Sequence, residues 1–168
     1  MTLKQLWAPW RLAYILKAKE SDDSGCFLCR DRDDSADAEN YVVARSEHAM
    51  SVLNAFPYNN GHLMVAPLSH KGALEELTDD ELLDCMHGVQ RMVASLKRVL
   101  APDGFNIGLN LGKAAGAGLP GHLHWHIVPR WNGDTNFMSV VDDVTVIPQS
   151  LAALYELLVA ELNNPPVD

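Results

Sequence analysis

The segment Gly121-His122-Leu123-His124-Trp125-His126-Ile127-Val128-Pro129 constrains this chain more than any other. Histidine alternates there with large apolar residues, and a period of two is the period of a β-strand. In a strand, His122, His124 and His126 project from one face, spaced by roughly 6.5 Å per two residues. Leu123, Trp125 and Ile127 fill the opposite face and anchor the strand in a core. Three imidazoles on one face can ligate a metal, act as nucleophile and base, or carry solvent-exposed polarity. A lone strand histidine is ordinarily structural. Three in strict alternation, preceded by a Gly-rich loop, fit that explanation poorly.

The surroundings supply partners for such a strand. Tyr41 to Ala44 and Met50 to Leu53 are short apolar runs suited to a meander, and the turn signal Tyr58-Asn59-Asn60-Gly61 precedes a buried strand over His62 to Pro67. Thr78-Asp79-Asp80-Glu81 is a capping box. Behind it Leu82, Met86, Val89, Val93, Leu96 and Leu100 recur at three- and four-residue steps, giving an amphipathic helix of roughly 20 residues stopped by Pro102 and Gly104. Phe105 to Leu111 reads as a further strand, Ser150 to Leu162 as a last helix, and the acidic run Asp31 to Asn40 as a solvated loop. The sum is an α+β domain with an antiparallel sheet, one long helix and a C-terminal helix.

With 168 residues the chain suits one domain, 1–168, with an N-terminal extension over 1–25. Its formal net charge of −9 would repel a long polyanion, which argues against a nucleic-acid polymer as partner but not against a small anion in a pocket of donors. Lys4, Arg11, Lys17 and Lys19 interrupt any apolar leader, and no run is long enough for a membrane span. A cytoplasmic location is expected. In that setting Cys26-Phe27-Leu28-Cys29 points to metal or redox chemistry before a structural disulfide, although two buried thiols would look the same.

Phosphoryl chemistry suits the histidine strand. An imidazole nitrogen is a good nucleophile near neutral pH, and a transient nucleotidyl-imidazole splits one hard displacement into two. Neighbouring histidines can fix the attacking tautomer and protonate the leaving group. The loop from Asn110 to Gly121, with Gly116, Ala117 and Gly118 at its centre, offers backbone N–H groups to phosphate oxygens, because glycine puts no Cβ in the way.

The run His-Leu-His-Trp-His-Ile-Val resembles the signature of the histidine-triad superfamily. Leu53 to Pro67, with its Pro57 and Gly61-His62, is similar to that family's strand–turn–strand, and Asn110-Leu111-Gly112 to its N-x-G. The resemblance implies that His124 is the nucleophile, that His126 assists at the phosphate, and that His62 is a hydrogen-bonding partner behind them. It implies Asn54 near ribose and Asn110 near phosphate. The Gln that usually contacts phosphate four residues before the triad is missing; Ala117 and Gly118 stand in that stretch. Zinc-bearing members pair a C-x-x-C with a distal histidine and the first triad histidine, which here gives Cys26, Cys29, His70 and His122 as a structural zinc site. Leu6-Trp7-Ala8-Pro9-Trp10-Arg11 and Trp131 look like the bacterial subgroup resembling diadenosine tetraphosphate phosphorylases. That makes Trp131 a nucleotide-site residue and Lys113 and Arg130 the nearest cations for polyphosphate. A homodimer acting on an adenine nucleotide or dinucleoside polyphosphate is implied, with phosphorolysis slightly favoured over hydrolysis. An adenosine phosphoramidate hydrolase and a non-catalytic nucleotide sensor are the alternatives, with a zinc-dependent interaction module ranked well below them.

Overall fold

The computed structural model describes residues 25–134 and 147–164, so Trp7 and Trp10 lie outside the described residues. Strands β1 (Val42–Arg45), β2 (Ala49–Leu53), β3 (Leu63–Pro67), β4 (Gly104–Leu109) and β5 (Trp125–Arg130) form one antiparallel sheet in the order β1-β2-β3-β5-β4. Helices α1 (Phe27–Asp33), α2 (Asp37–Asn40), α3 (Asp79–Leu100) and α4 (Leu151–Asn163) flank it.

Alternation along the strands divides the core in two. On one side Leu53, Leu63, Val65, Leu123, Trp125 and Ile127 pack against α3 and α4. Each fully buried Leu or Ile there is worth about 1.5–3 kcal/mol of apolar burial. On the other side Val42, Met50, Val52, Met64 and Ala66 form a smaller cluster with Leu28 of α1. Pairing of Met64 with His126 puts His126 on this second side, in the strand that β3 and β4 flank.

Helix α3 follows its sequence signals. The Thr78 hydroxyl accepts from the Glu81 N–H, and the Glu81 carboxylate accepts from the Thr78 N–H at 2.8 Å. Acidic residues occupy the first turn and Lys97 and Arg98 the last, complementing the helix dipole. Its face is set close to the sheet at Gly88, where a Cβ would stand 3.0 Å from the Val65 side chain. No helix among the described residues is long and apolar enough to cross a membrane.

Two expectations need correction. The histidine strand begins at Trp125 rather than His122. Continuing the β3–β5 ladder past Val65–Trp125 would bring in Pro67, which has no N–H to give. The chain turns aside instead, and Leu123 donates its N–H to the Lys71 carbonyl at 2.7 Å. The acidic run Asp31 to Asn40 is not a loop but the end of α1 and all of α2. Arg45 organises it. Its guanidinium donates to the carbonyls of Asp31 (2.7 Å), Arg32 (3.0 Å) and Asp34 (3.1 Å) and pairs with the Asp37 carboxylate, so one cation satisfies the orphan carbonyls at the end of α1.

Candidate functional site

Cys26 caps the N-terminus of α1 and Cys29 lies in its first turn, so a spacing of three brings both thiols to one side of the helix. They meet His122 and His70. Cys26 Sγ is 3.1 Å and Cys29 Sγ 3.5 Å from His122 Nδ1, and Cys29 Sγ is 3.2 Å from His70 Nδ1. All four ligand atoms lie within 4.8 Å of one another. A tetrahedral zinc, with bonds of about 2.0–2.3 Å, holds its ligand atoms roughly 3.3–3.8 Å apart, so this donor set fits such an ion. The outer contacts fit as well. His122 Nε2–H donates to the Pro67 carbonyl at 2.8 Å, which leaves the Nδ1 lone pair facing the sulfurs. The cluster could hold a metal ion.

On the other flank of Leu123, the His124 and His126 rings meet edge to face at 4.9 Å between centroids, and His126 and His62 at 5.1 Å. His124 Nδ1–H donates to the His122 carbonyl at 2.9 Å. The neutral ring then carries its lone pair on Nε2, to which nothing among the described residues is hydrogen-bonded. His62 is enclosed, 1% exposed. Its Nδ1 faces the Tyr58 N–H at 3.1 Å, and its Nε2 stands 2.9 Å from His126 Nδ1. Burial, reinforced by the neighbouring His126 and His124, pushes His62 down to about 3. Burial also lowers His124, partly offset by its bond to the His122 carbonyl. Burial thus disfavours the charged form of both His62 and His124, and the neutral imidazole is the form that can attack.

The HIT domain family matches residues 35–133 of the chain. The chain belongs to the HIT family. It is 41% identical to the AP-4-A phosphorylase of Mycobacterium tuberculosis, over 98% of this chain and 87% of that protein. It is 30% identical to the asymmetrical bis(5'-nucleosyl)-tetraphosphatase of Schizosaccharomyces pombe, over 68% of this chain and 63% of that one. Among solved structures, a zinc-bound histidine triad family protein from Mycobacterium smegmatis superposes with a TM-score of 0.66 at 28% identity, covering 83% of this chain and 94% of that one. The fold is the HIT fold.

Around this HIT centre the other expected residues are distributed unevenly. Asn54 lies directly at it, with Nδ2 3.3 Å from His62 Nδ1 and Oδ1 accepting from the Phe56 N–H at 2.9 Å. Asn110 follows β4 and is half-buried. Within the Gly-rich loop the Ala115 and Ala117 amides turn back to the Gly112 carbonyl and the Gly116 amide to that of Lys113, in a tight turn that Gly116 closes at φ +91°. The amides of Gly116 and Ala117, expected to be open to phosphate, are therefore engaged within the loop; the Gly118 amide makes no such bond. Trp131 lies in the turn after β5, its amide on the Asp134 carboxylate at 3.2 Å. Arg130 is committed to Asp134 at 2.6 Å and to Asn106 at 2.8 Å, while Lys113 is exposed.

Two contributors escaped the sequence reading. Tyr58 was part of a turn signal only, yet its amide donates to His62 and its ring lies 4.5 Å from that of His62 and 5.8 Å from that of His126. Lys71 gives its carbonyl to Leu123 and its ammonium to Glu81 at 2.7 Å, tying the start of α3 to the histidine segment. The one signal for Lys71 was its place next to His70.

Proposed function

We propose that this HIT protein transfers a nucleotidyl group from a diadenosine polyphosphate by way of a covalent intermediate on His124, with inorganic phosphate preferred to water as acceptor. The observation that carries this reading is the hydrogen bond from His124 Nδ1 to the His122 carbonyl, which leaves Nε2 as the nucleophilic nitrogen of a neutral ring.

His124 Nε2 attacks the α-phosphorus. A P–N bond forms and the bond from phosphorus to the bridging oxygen breaks, while His126 delivers a proton to the departing polyphosphate. An oxygen of inorganic phosphate then attacks the same phosphorus, its proton passes to His126, the P–N bond breaks, and both His124 and His126 are restored. Diadenosine tetraphosphate would give ATP in the first step and ADP in the second; water in the second step would give AMP. Asn110 and the Gly118 amide are assigned to the phosphates, Lys113 to the polyphosphate charge and Trp131 to the nucleoside, with Gly116 and Ala117 contributing once their amides turn outward. His62 holds His126. Cys26, Cys29, His70 and His122 would hold a structural zinc, whose contribution is to fix α1 and the 69–72 turn against the histidine segment. The likeness to an AP-4-A phosphorylase along nearly the whole chain supports phosphate as acceptor. A homodimer goes with this reading; β4 is an edge strand whose Ile107 is half exposed, and light scattering tests the pairing.

The test is a product assay on diadenosine tetraphosphate with and without inorganic phosphate. ADP and ATP appearing only with phosphate are expected. AMP and ATP regardless of phosphate would make the protein a hydrolase, and binding of AMP without turnover would overturn the reading.

A further inference from the structure

The His62–His126 pair, joined Nε2 to Nδ1 at 2.9 Å, can place the shared proton on either nitrogen, and with two neutral rings the two arrangements have opposite chemical consequences. In one, His62 carries its proton on Nε2 and donates it to His126 Nδ1 across the 2.9 Å contact, so that His126 bears its own proton on Nε2 and is an acid. In the other, His62 is protonated on Nδ1, His126 donates back from its Nδ1, and His126 Nε2 is a lone pair, hence a base. Whatever sets His62 Nδ1 sets the role of His126.

We infer that Asn54, together with the Tyr58 amide, is a positioning residue that locks the first arrangement. The lock follows from two groups that can only donate. The Tyr58 N–H lies 3.1 Å from His62 Nδ1, which must therefore accept. The Phe56 N–H lies 2.9 Å from one end of the Asn54 amide, so that end is Oδ1, and the end 3.3 Å from His62 Nδ1 is the NH₂. Backbone amides thus fix both the asparagine orientation and the imidazole tautomer. Asn54 reads its orientation from Phe56 and passes it to His62, and His62 passes it to His126. His62 has no route to solvent by which to exchange to the other tautomer, being 1% exposed and held neutral by burial. The loop between β2 and β3 has a function beyond reversing the chain: its residues 54, 56 and 58 make a polar lock around one buried ring.

The inference rests on His126 acting as the acid of the proposed reaction, but its first test does not. Long-range ¹H–¹⁵N correlation spectra of protein labelled in histidine should show His62 and His126 protonated on Nε2 and His124 on Nδ1. A His126 proton on Nδ1 overturns the lock whether or not dinucleotides are turned over. The second test is Asn54→Asp, which keeps an acceptor for the Phe56 amide but sets a carboxylate oxygen against His62 Nδ1, where its full charge outweighs the neutral Tyr58 N–H. The expected result is a His62 proton on Nδ1 and a fall in kcat of roughly 10²-fold, with KM changed by less than about 3-fold. A residue acting only on ribose hydroxyls would behave differently, because a carboxylate accepts from them well; undiminished kcat in Asn54→Asp would overturn the inference. Asn54→Ala, which leaves the Tyr58 donor in place, is expected to retain the wild-type tautomers and, with them, most of kcat.

Discussion

His122 and His124 are two residues apart and belong to opposite chemistries. Both rings are buried and both give one N–H to a backbone carbonyl, but they give it from opposite nitrogens. His122 donates from Nε2 to Pro67 and keeps Nδ1 for the two thiols. His124 donates from Nδ1 to His122 and keeps Nε2 for chemistry. The choice of carbonyl, not the residue type, decides which nitrogen of each ring is left with its lone pair, and on the proposed function that separates a ligand from a nucleophile. It also makes the two clusters unequal. The acceptor that orients His124 is the carbonyl of His122, a member of the Cys/His cluster, while among the described residues no side chain of that cluster is hydrogen-bonded to the His124 ring.

The inequality is tested first by the change of largest effect. His124→Asn should lower turnover of diadenosine tetraphosphate by at least about 10³-fold, since the proposed nucleophile is then gone. Metal content and thermal midpoint should stay at wild-type values. Loss of metal from this variant would show that the dependence runs both ways.

The converse change is next in size. Replacing Cys29 by Ser, or stripping the metal with a chelator, should release the N-terminal part of the described fold from the histidine segment. A loss of about 3–5 kcal/mol is expected, read as a fall of on the order of 10 °C in the melting midpoint. Turnover should fall with it, because His122 then no longer holds its carbonyl in place. A variant that loses metal and stability yet keeps full kcat would separate the two clusters.

This asymmetry was only partly legible in the sequence. The alternation from His122 to Ile127 and the capping box at Thr78 are local patterns with a fixed physical meaning, and sheet and long helix follow from them. The cysteine pair with His70 and His122 was reachable only through family resemblance, since the four residues span nearly a hundred positions and no local periodicity joins them. Tautomers were not legible at all. They depend on carbonyls of Pro67 and His122 and amides of Phe56 and Tyr58, which every residue possesses and whose direction only the fold decides. The same holds for the Gly-rich loop, whose glycines promised open amides but allowed a turn tight enough to engage them internally. Asp31 to Asn40 was misread because the cation that organises it, Arg45, lies outside the acidic run.

Acid separates the pair in a graded way. His62 titrates in the fold at about 3, far below its ordinary value of 6.5. Between those values the unfolded chain binds a proton that the native one refuses, so stability falls as pH drops through that window, by up to about 1.4 kcal/mol per pH unit for one such group. Glu81, pulled to about 2 chiefly by Lys71, adds a second loss as pH falls from about 4.5 toward 2, where its contacts with Lys71 and the α3 terminus are neutralised. Denaturation midpoints at pH 7, 5 and 3 check both. His62→Gln should flatten the fall between pH 7 and 5, and Glu81→Gln the fall below it.

The smallest expected effect probes the seam between the clusters. A Cβ on Gly72 would lie 2.8 Å from the Pro120 carbonyl oxygen and 3.3 Å from Gly121 Cα, and both are backbone atoms that cannot rotate away. Gly72 follows Lys71, whose carbonyl holds Leu123, and stands two residues from His70, so any shift of this turn reaches the proposed metal site on one side and the histidine segment on the other. Gly72→Ala is expected to cost roughly 1–3 kcal/mol through overpacking. If the turn is the mechanical link between the clusters, metal affinity and kcat should decline together by several-fold, with KM for the dinucleotide little changed. If stability alone falls, the His122 carbonyl is held by its own ring and the Pro67 contact, and the turn serves folding without serving the site.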